Sequence, residues 1–219
     1  LSSAPVPHPR PPLPRPDAAL SLAGERVDLG TRVLVAGVAP SPRFGREAEV
    51  AAGAAAMRAA GVDLVDVPLP PRLVGPVARG EGAPVAVRAG TVDEALAAGH
   101  AGAAVVLVPA ELVADVLAAT AAPGGPSPAT VAVVDDLGGL GAARDAATAH
   151  GVPLAFDATP WAGAEAVARE SAAVLEGCRL LRTTDVRRSR RIAAAMTALL
   201  EARRPAVWAA GGRPGEDGA

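Results

Sequence analysis

TVAVVDDLGGLGAARDAATAHGVPLAFDATPWAG, residues 130–163, holds the pattern on which the fold turns. A short β-branched run, 130–135, leads into a glycine loop, then into an alanine-rich stretch over 142–150 that stops at Gly151 before a second apolar run, 153–157. Runs this short and this continuously apolar suit parallel strands covered on both faces. The alanine-rich stretch between them reads as the crossover helix, with glycine at its C-terminal end where a left-handed cap suits it best.

The same unit recurs outward in both directions. Further runs occupy 33–39 (VLVAGVA), 62–67 (VDLVDV), 84–88 (PVAVR), 104–108 (AVVLV) and 178–183 (CRLLRT), giving seven strands. Helices are expected over 47–60, 92–98, 110–120, 142–150, 163–175 and 186–202, with Gly61, Gly99 and Gly151 as C-terminal stops. Such alternation makes an α/β protein with a parallel sheet, open or closed, and closure into a barrel is favoured. Residues 20–29 (LSLAGERVDL) read as a β-hairpin turning near Gly24, placed to plug the barrel's bottom.

Composition narrows the chemistry. The 219 residues include no lysine, asparagine, glutamine or tyrosine; all 21 basic groups are arginine, and the net charge is −2. Ammonium and carboxamide chemistry is therefore excluded. The one cysteine, Cys178, excludes an intrachain disulfide and reads as a buried apolar residue. The arginines are dispersed except for Arg187, Arg188, Arg190 and Arg191, which read as a solvated helix face rather than a nucleic-acid footprint. His100 and His150 read as helix C-terminal residues facing exposed carbonyls, and His8 falls in the N-terminal arm. Neither zinc spacing nor a Ser/His or Cys/His arrangement is present.

Residues 1–19 are too proline-dense to pack and read as a disordered arm; 20–210 form the barrel domain, and 211–219 a disordered tail. Without a signal-like or membrane-spanning apolar run, the chain is expected to be cytoplasmic, with no nucleic-acid or membrane partner.

In either sheet architecture the working face lies at the strands' C-terminal ends. There stand Arg72 after the second run, Arg88 after the third, and Asp135-Asp136 followed by Gly138-Gly139-Leu140-Gly141 after the fifth. Asp157-Ala158-Thr159-Pro160-Trp161 follows the sixth, and Arg182-Thr183-Thr184 the seventh. Asp135 can accept a guanidine-like edge, or either aspartate can cap the next helix. The glycine loop can cradle phosphate or be a plain turn, and its spacing fails the dinucleotide fingerprint. Arg182, with Thr183, Thr184 and the helix amides, is the best candidate anion site.

The series resembles dihydropteroate synthase, a pterin-binding TIM barrel. The stretch SLAGERVDLGTRVLVAGVAP is similar to the family's N-terminal hairpin, first strand and Asn-Val-Thr-Pro-Asp loop. AAMRAAGVDLVDV is similar to its helix and second strand, VAVVDDLGGLG to its Asp-Pro-Gly-x-Gly-x-Gly loop, and GCRLLRTTDV to its last strand with Arg-x-His-Asp-Val. The resemblance implies a pterin site at Asp135, Gly139 and Gly141, and contacts from Arg182, Thr184 and Arg72 with a pterin or phosphate-bearing molecule. It also marks losses. One βα unit is missing; Gly37, Ala39 and Ser41 replace the metal-binding loop, Arg88 replaces an aspartate, Leu107 an asparagine, Trp161 a lysine and Thr184 a histidine. The family displaces pyrophosphate from a pterin methylene with the amine of p-aminobenzoate, using magnesium to stabilise the departing charge. A chain without that metal site is expected to use no metal and to have no catalytic residues. It would bind a pterin or phosphate-bearing ligand, pair with a second copy, or serve another protein as partner or regulator. An active transferase with an unusual site, and an unrelated barrel binding another phosphorylated metabolite at Arg182, are the alternatives.

Overall fold

All seven apolar runs form strands, and they close on themselves. The computed structural model describes residues 19–22, 25–39, 47–67, 70–80, 82–121 and 127–202. The strands are β3 (Leu34–Val38), β4 (Leu64–Asp66), β5 (Val85–Arg88), β6 (Val105–Pro109), β7 (Ala129–Val134), β8 (Leu154–Asp157) and β9 (Leu180–Thr183), each parallel to its neighbour in sequence order. Closure comes from β3 pairing with β9, Leu34 opposite Leu180 and Gly37 opposite Thr183, which leaves the barrel no free edge. Below it lies the expected hairpin, β1 (Ala19–Leu22) antiparallel to β2 (Glu25–Asp28). Ala19, assigned to the arm by composition, is already in β1. Residues 1–18, the turn at Gly24, the 40–46 loop with Ser41, and the tail over 211–219 lie outside the described residues.

The helices are α1 (Glu47–Ala59), α2 (Val74–Ala78), α3 (Val92–His100), α4 (Val113–Thr120), α5 (Leu140–His150), α6 (Gly163–Leu175) and α7 (Val186–Ala202). Among the described residues none is long and apolar enough to cross a membrane. Three details depart from the sequence reading. A short helix, α2, follows a 3-10 turn over Pro71–Leu73 in a stretch whose prolines and glycines hide its helical spacing; it buries Val74 and Val77. The stretch 110–120 is a 3-10 turn, Ala110–Leu112, followed by α4. Helix α3 runs through Gly99, and the left-handed backbone falls at Gly102 (φ 99°), whereas Gly151 (φ 64°) caps α5 as expected.

Strand periodicity divides the core in two. Leu34, Ala36, Leu64, Ala86, Val105, Leu107, Val131, Val133, Ala155 and Leu180 fill the interior, and the hairpin's Leu20 and Leu22, with Leu29 after it, close its base. Their strand neighbours, including Val35, Val65, Val87, Val106, Ala132, Phe156 and Leu181, face outward against the helices. A seven-stranded barrel has a narrow interior, and alanine, valine and leucine suit it. Burying each such valine or leucine side chain contributes about 1.5–3 kcal/mol. Cys178 is buried in the outer layer and its thiol is pushed up to about 12, chiefly by that burial, so it is inert as the sequence suggested.

Candidate functional site

Two residues above the apolar layer, the same inward-facing rows change character. Asp66 follows Leu64, Arg88 follows Ala86, Asp157 follows Ala155 and Arg182 follows Leu180, so four strands bring four charges to one level of the mouth. Asp135, just beyond the end of β7, extends the row Val131–Val133 one step higher.

These groups form one continuous ladder. Arg182 donates its Nε to Asp66 Oδ2 at 2.5 Å and its Nη1 to Asp157 Oδ2 at 2.7 Å. Arg88 donates Nη1 to the same Asp157 oxygen, and Nη2 to both oxygens of Asp135 at 2.8 Å each. Thr159 completes the shell of Asp157, giving its backbone N–H (3.0 Å) and hydroxyl (2.7 Å) to Oδ1. Burial falls along the ladder: the side chains of Asp66 and Asp157 are 1% and 2% exposed, Arg182 14%, Arg88 33% and Asp135 57%. Burial pushes the Asp66 carboxyl up, with Arg182 pulling the other way. Burial alone would lower Arg182, but the Asp66 and Asp157 carboxylates more than offset it and hold the guanidinium charged. The ladder thus sets three carboxyl groups against two guanidinium groups.

The six residues expected to bind ligand do not come together as one site. Asp135 and Arg182 reach the mouth at opposite ends of the ladder, linked through Arg88 and Asp157. Thr183 turns away from Arg182, because successive strand residues face opposite ways, and Thr184, just past the end of β9, makes no hydrogen bond with it. Thr183 is buried outside the barrel, accepting hydrogen bonds from the Asp185 N–H and Arg188, and Thr184 is exposed with no partner among the described residues. Arg72 is likewise exposed, on the 3-10 turn, without a partner among the described residues. In the glycine loop the Gly139 N–H is taken by Asp136 Oδ1 at 2.9 Å, so Asp136 makes a tight turn there and no free amide cradle forms from that group. Gly141 lies in the first turn of α5 with open space beside it.

Sequence reading gave no role to Asp66, Asp157 or Thr159. A period-two count up each strand from its apolar residues would have found the first two.

Gly37, which the resemblance sets at the place of a metal-binding asparagine, turns its side outward: a Cβ there would stand 2.7 Å from Val62 Cγ1 and 3.0 Å from both Met57 Sδ and Val186 Cγ2. Glycine lets β3 pack closely against α1 and α7. Trp161 also leaves the mouth, packing on the outer core beneath Arg169, whose guanidinium carbon lies 3.7 Å from the ring centroid. The described residues of the mouth do not fit magnesium. Among the described residues no group of three His, Cys, Asp or Glu is placed to hold a metal, and each mouth carboxylate is engaged by an arginine.

The arginine cluster of α7 is half structural. Arg188 donates Nη2 to Glu170 Oε1 at 2.9 Å, and Arg190 to the Gly61 carbonyl, whereas Arg187 and Arg191 are exposed beside a groove of about 590 Å³ between α6 and α7. Glu170 is fully buried, with Ser189 donating to the same oxygen and Oε2 unpartnered. Burial raises its carboxyl above the ordinary glutamate value, against Ser189 and Arg188. A raised acid contributes stability that is complete below its unfolded value and lost as pH rises through its folded value. The stability of the wild type relative to Glu170→Gln is therefore expected to be greatest in acid. Urea melts from pH 4 to pH 7 should show that difference shrinking steadily.

Fold and mouth together define a small closed βα barrel with an ionic site at its C-terminal face. Among solved structures the barrel is similar to dihydropteroate synthases. The Yersinia pestis enzyme is 14% identical with a TM-score of 0.58, over 85% of this chain and 98% of that one. The Burkholderia cenocepacia enzyme, complexed with 7,8-dihydropteroate, is 16% identical with a TM-score of 0.60, over 85% and 98%. The Xanthomonas albilineans enzyme, complexed with indole-2-carboxylic acid and 6-chloroguanine, is 18% identical with a TM-score of 0.54, over 85% and 99%. At these identities the likeness establishes the shared fold, and the resemblance read from the sequence holds at that level. No protein-family model matches the sequence, and no curated protein matches it at a significant level.

Proposed function

We propose that this chain is a divergent, non-catalytic member of the dihydropteroate synthase family, and that its barrel mouth takes a pterin-type molecule by its guanidine-like edge. The observation that carries the reading is the ladder of three carboxylates and two arginines. Carboxylates accept N–H donors from an amidine-type edge well, and those of this mouth already take N–H donors from two guanidinium groups, each shared between two aspartates. Along the ladder three carboxylates face two arginines, an excess that opposes a phosphate or pyrophosphate, and in this structure both arginines turn their donors to carboxylates rather than to an open anion site. Arg182, held between Asp66 and Asp157, favours a pterin over a phosphorylated metabolite for the same reason.

Thermal melts with 6-hydroxymethylpterin and, separately, with pyrophosphate test the ligand class. The pterin is expected to raise the melting temperature of the wild type and to do nothing to Asp135→Ala; pyrophosphate should leave both unchanged. No response to the pterin, or stabilisation by pyrophosphate, would contradict the reading.

A further inference from the structure

Of the two mouth arginines, one is fixed and the other is replaceable. Arg182 sits in the interior, 14% exposed, between two carboxylates that are themselves 1% and 2% exposed. Arg88 reaches in from the end of β5, one-third exposed, and its second carboxylate, Asp135, is more than half exposed. Asp157 does not depend on Arg88: without it, Asp157 keeps Arg182 at 2.7 Å and both the N–H and hydroxyl of Thr159. Moving Arg88 outward thus gives up chiefly its exposed pairing with Asp135, the kind that contributes least.

The place Arg88 holds has a definite chemistry. Its Nη1 and Nη2, two N–H-bearing nitrogens on one planar carbon, meet Asp157 and Asp135 respectively. Any planar ligand edge with two adjacent N–H donors on an amidine-type carbon presents the same pattern. A compact ammonium does not.

We propose that Arg88 is a resident occupant that gates the mouth: its guanidinium fills a seat formed by Asp135 and Asp157, and a ligand with an amidine- or guanidine-type edge binds by displacing it. The inference rests on the reading that this mouth receives a pterin-type molecule, and it names how that same site is controlled. With the seat filled from within, the apparent affinity for an external edge is reduced by the fraction of molecules in which Arg88 has left.

The test is a calorimetric titration of wild type and Arg88→Ala with methylguanidinium, with methylammonium at matched ionic strength as control and 6-hydroxymethylpterin as a separate arm. Arg88→Ala is expected to bind methylguanidinium about tenfold more tightly than wild type, as occupancy of roughly nine-tenths by Arg88 implies. It should show no such gain for methylammonium, and Arg88→Ala/Asp135→Asn should lose the gain. Arg88→Met, which keeps the side-chain stem without its donors, carries the same expectation if the alanine variant folds poorly. Equal affinity of variant and wild type for methylguanidinium, or an equal gain for methylammonium, would overturn the proposal. A gain for methylguanidinium with no pterin binding by either protein would uphold the gate and remove the pterin reading.

Discussion

Arg182→Ala should lower the stability of the protein by about 3–5 kcal/mol, the range for removing one partner of a buried ion pair. The loss would be large because the vacated guanidinium leaves Asp66, 1% exposed, without the counter-charge it holds at 2.5 Å. Burial already pushes the Asp66 carboxyl up, so in the variant it would take a proton or draw in water rather than remain a bare buried charge. Asp157 would suffer less, since Arg88 and Thr159 still reach it. Arg182→Lys should recover only part of the loss, because one ammonium on a flexible stem cannot hold Asp66 with one nitrogen and Asp157 with another as the guanidinium fork does. Urea unfolding of the three proteins at pH 7 measures both effects. If Arg182→Ala proved as stable as wild type, the ladder would not be part of what holds the mouth together.

Gly37→Asn should destabilise the protein by about 1–3 kcal/mol, as overpacking of a close-packed core does. Its Cβ would meet Val62 at 2.7 Å and press on Met57 and Val186, and a carboxamide beyond it would enter an apolar layer. The substitution installs the residue type that the resemblance to dihydropteroate synthase implies for this position, and it is expected to confer no magnesium binding, since the side chain would face α1 and α7. A variant as stable as wild type that also gained magnesium affinity would show that β3 can rotate its inward row, and would undo the account of Gly37.

Much of the architecture was legible because its signals are local and repeated. Seven apolar runs became seven strands and the hairpin stood where residues 20–29 placed it, whereas the sequence left the sheet open or closed, and the pairing of β3 with β9 decides for the favoured closure. Helix α2 was missed because Pro70, Pro71, Gly75 and Pro76 crowd out the helical spacing around it. The site was less legible for a different reason. Reading the residues that come just after each strand treats neighbours as partners, which joined Arg182 to Thr183 and Thr184 and aimed Gly37 at the mouth. Side-chain direction on a strand alternates, so Arg182 belongs with Asp66 and Asp157 across the barrel, and Thr183 with Arg188 behind it. Arg88 was seen as a lost aspartate. Only the fold shows that it reaches Asp135, the residue expected to receive the ligand, because 47 positions separate them in sequence.

The most direct test of the central claim is an assay for dihydropteroate formation from the pterin pyrophosphate and p-aminobenzoate with magnesium. A mouth whose ladder pairs both of its arginines with carboxylates and offers no metal-holding group among the described residues predicts product no higher than in a control without protein. Product formation above that control, abolished by Arg182→Ala in protein shown to remain folded, would contradict the account.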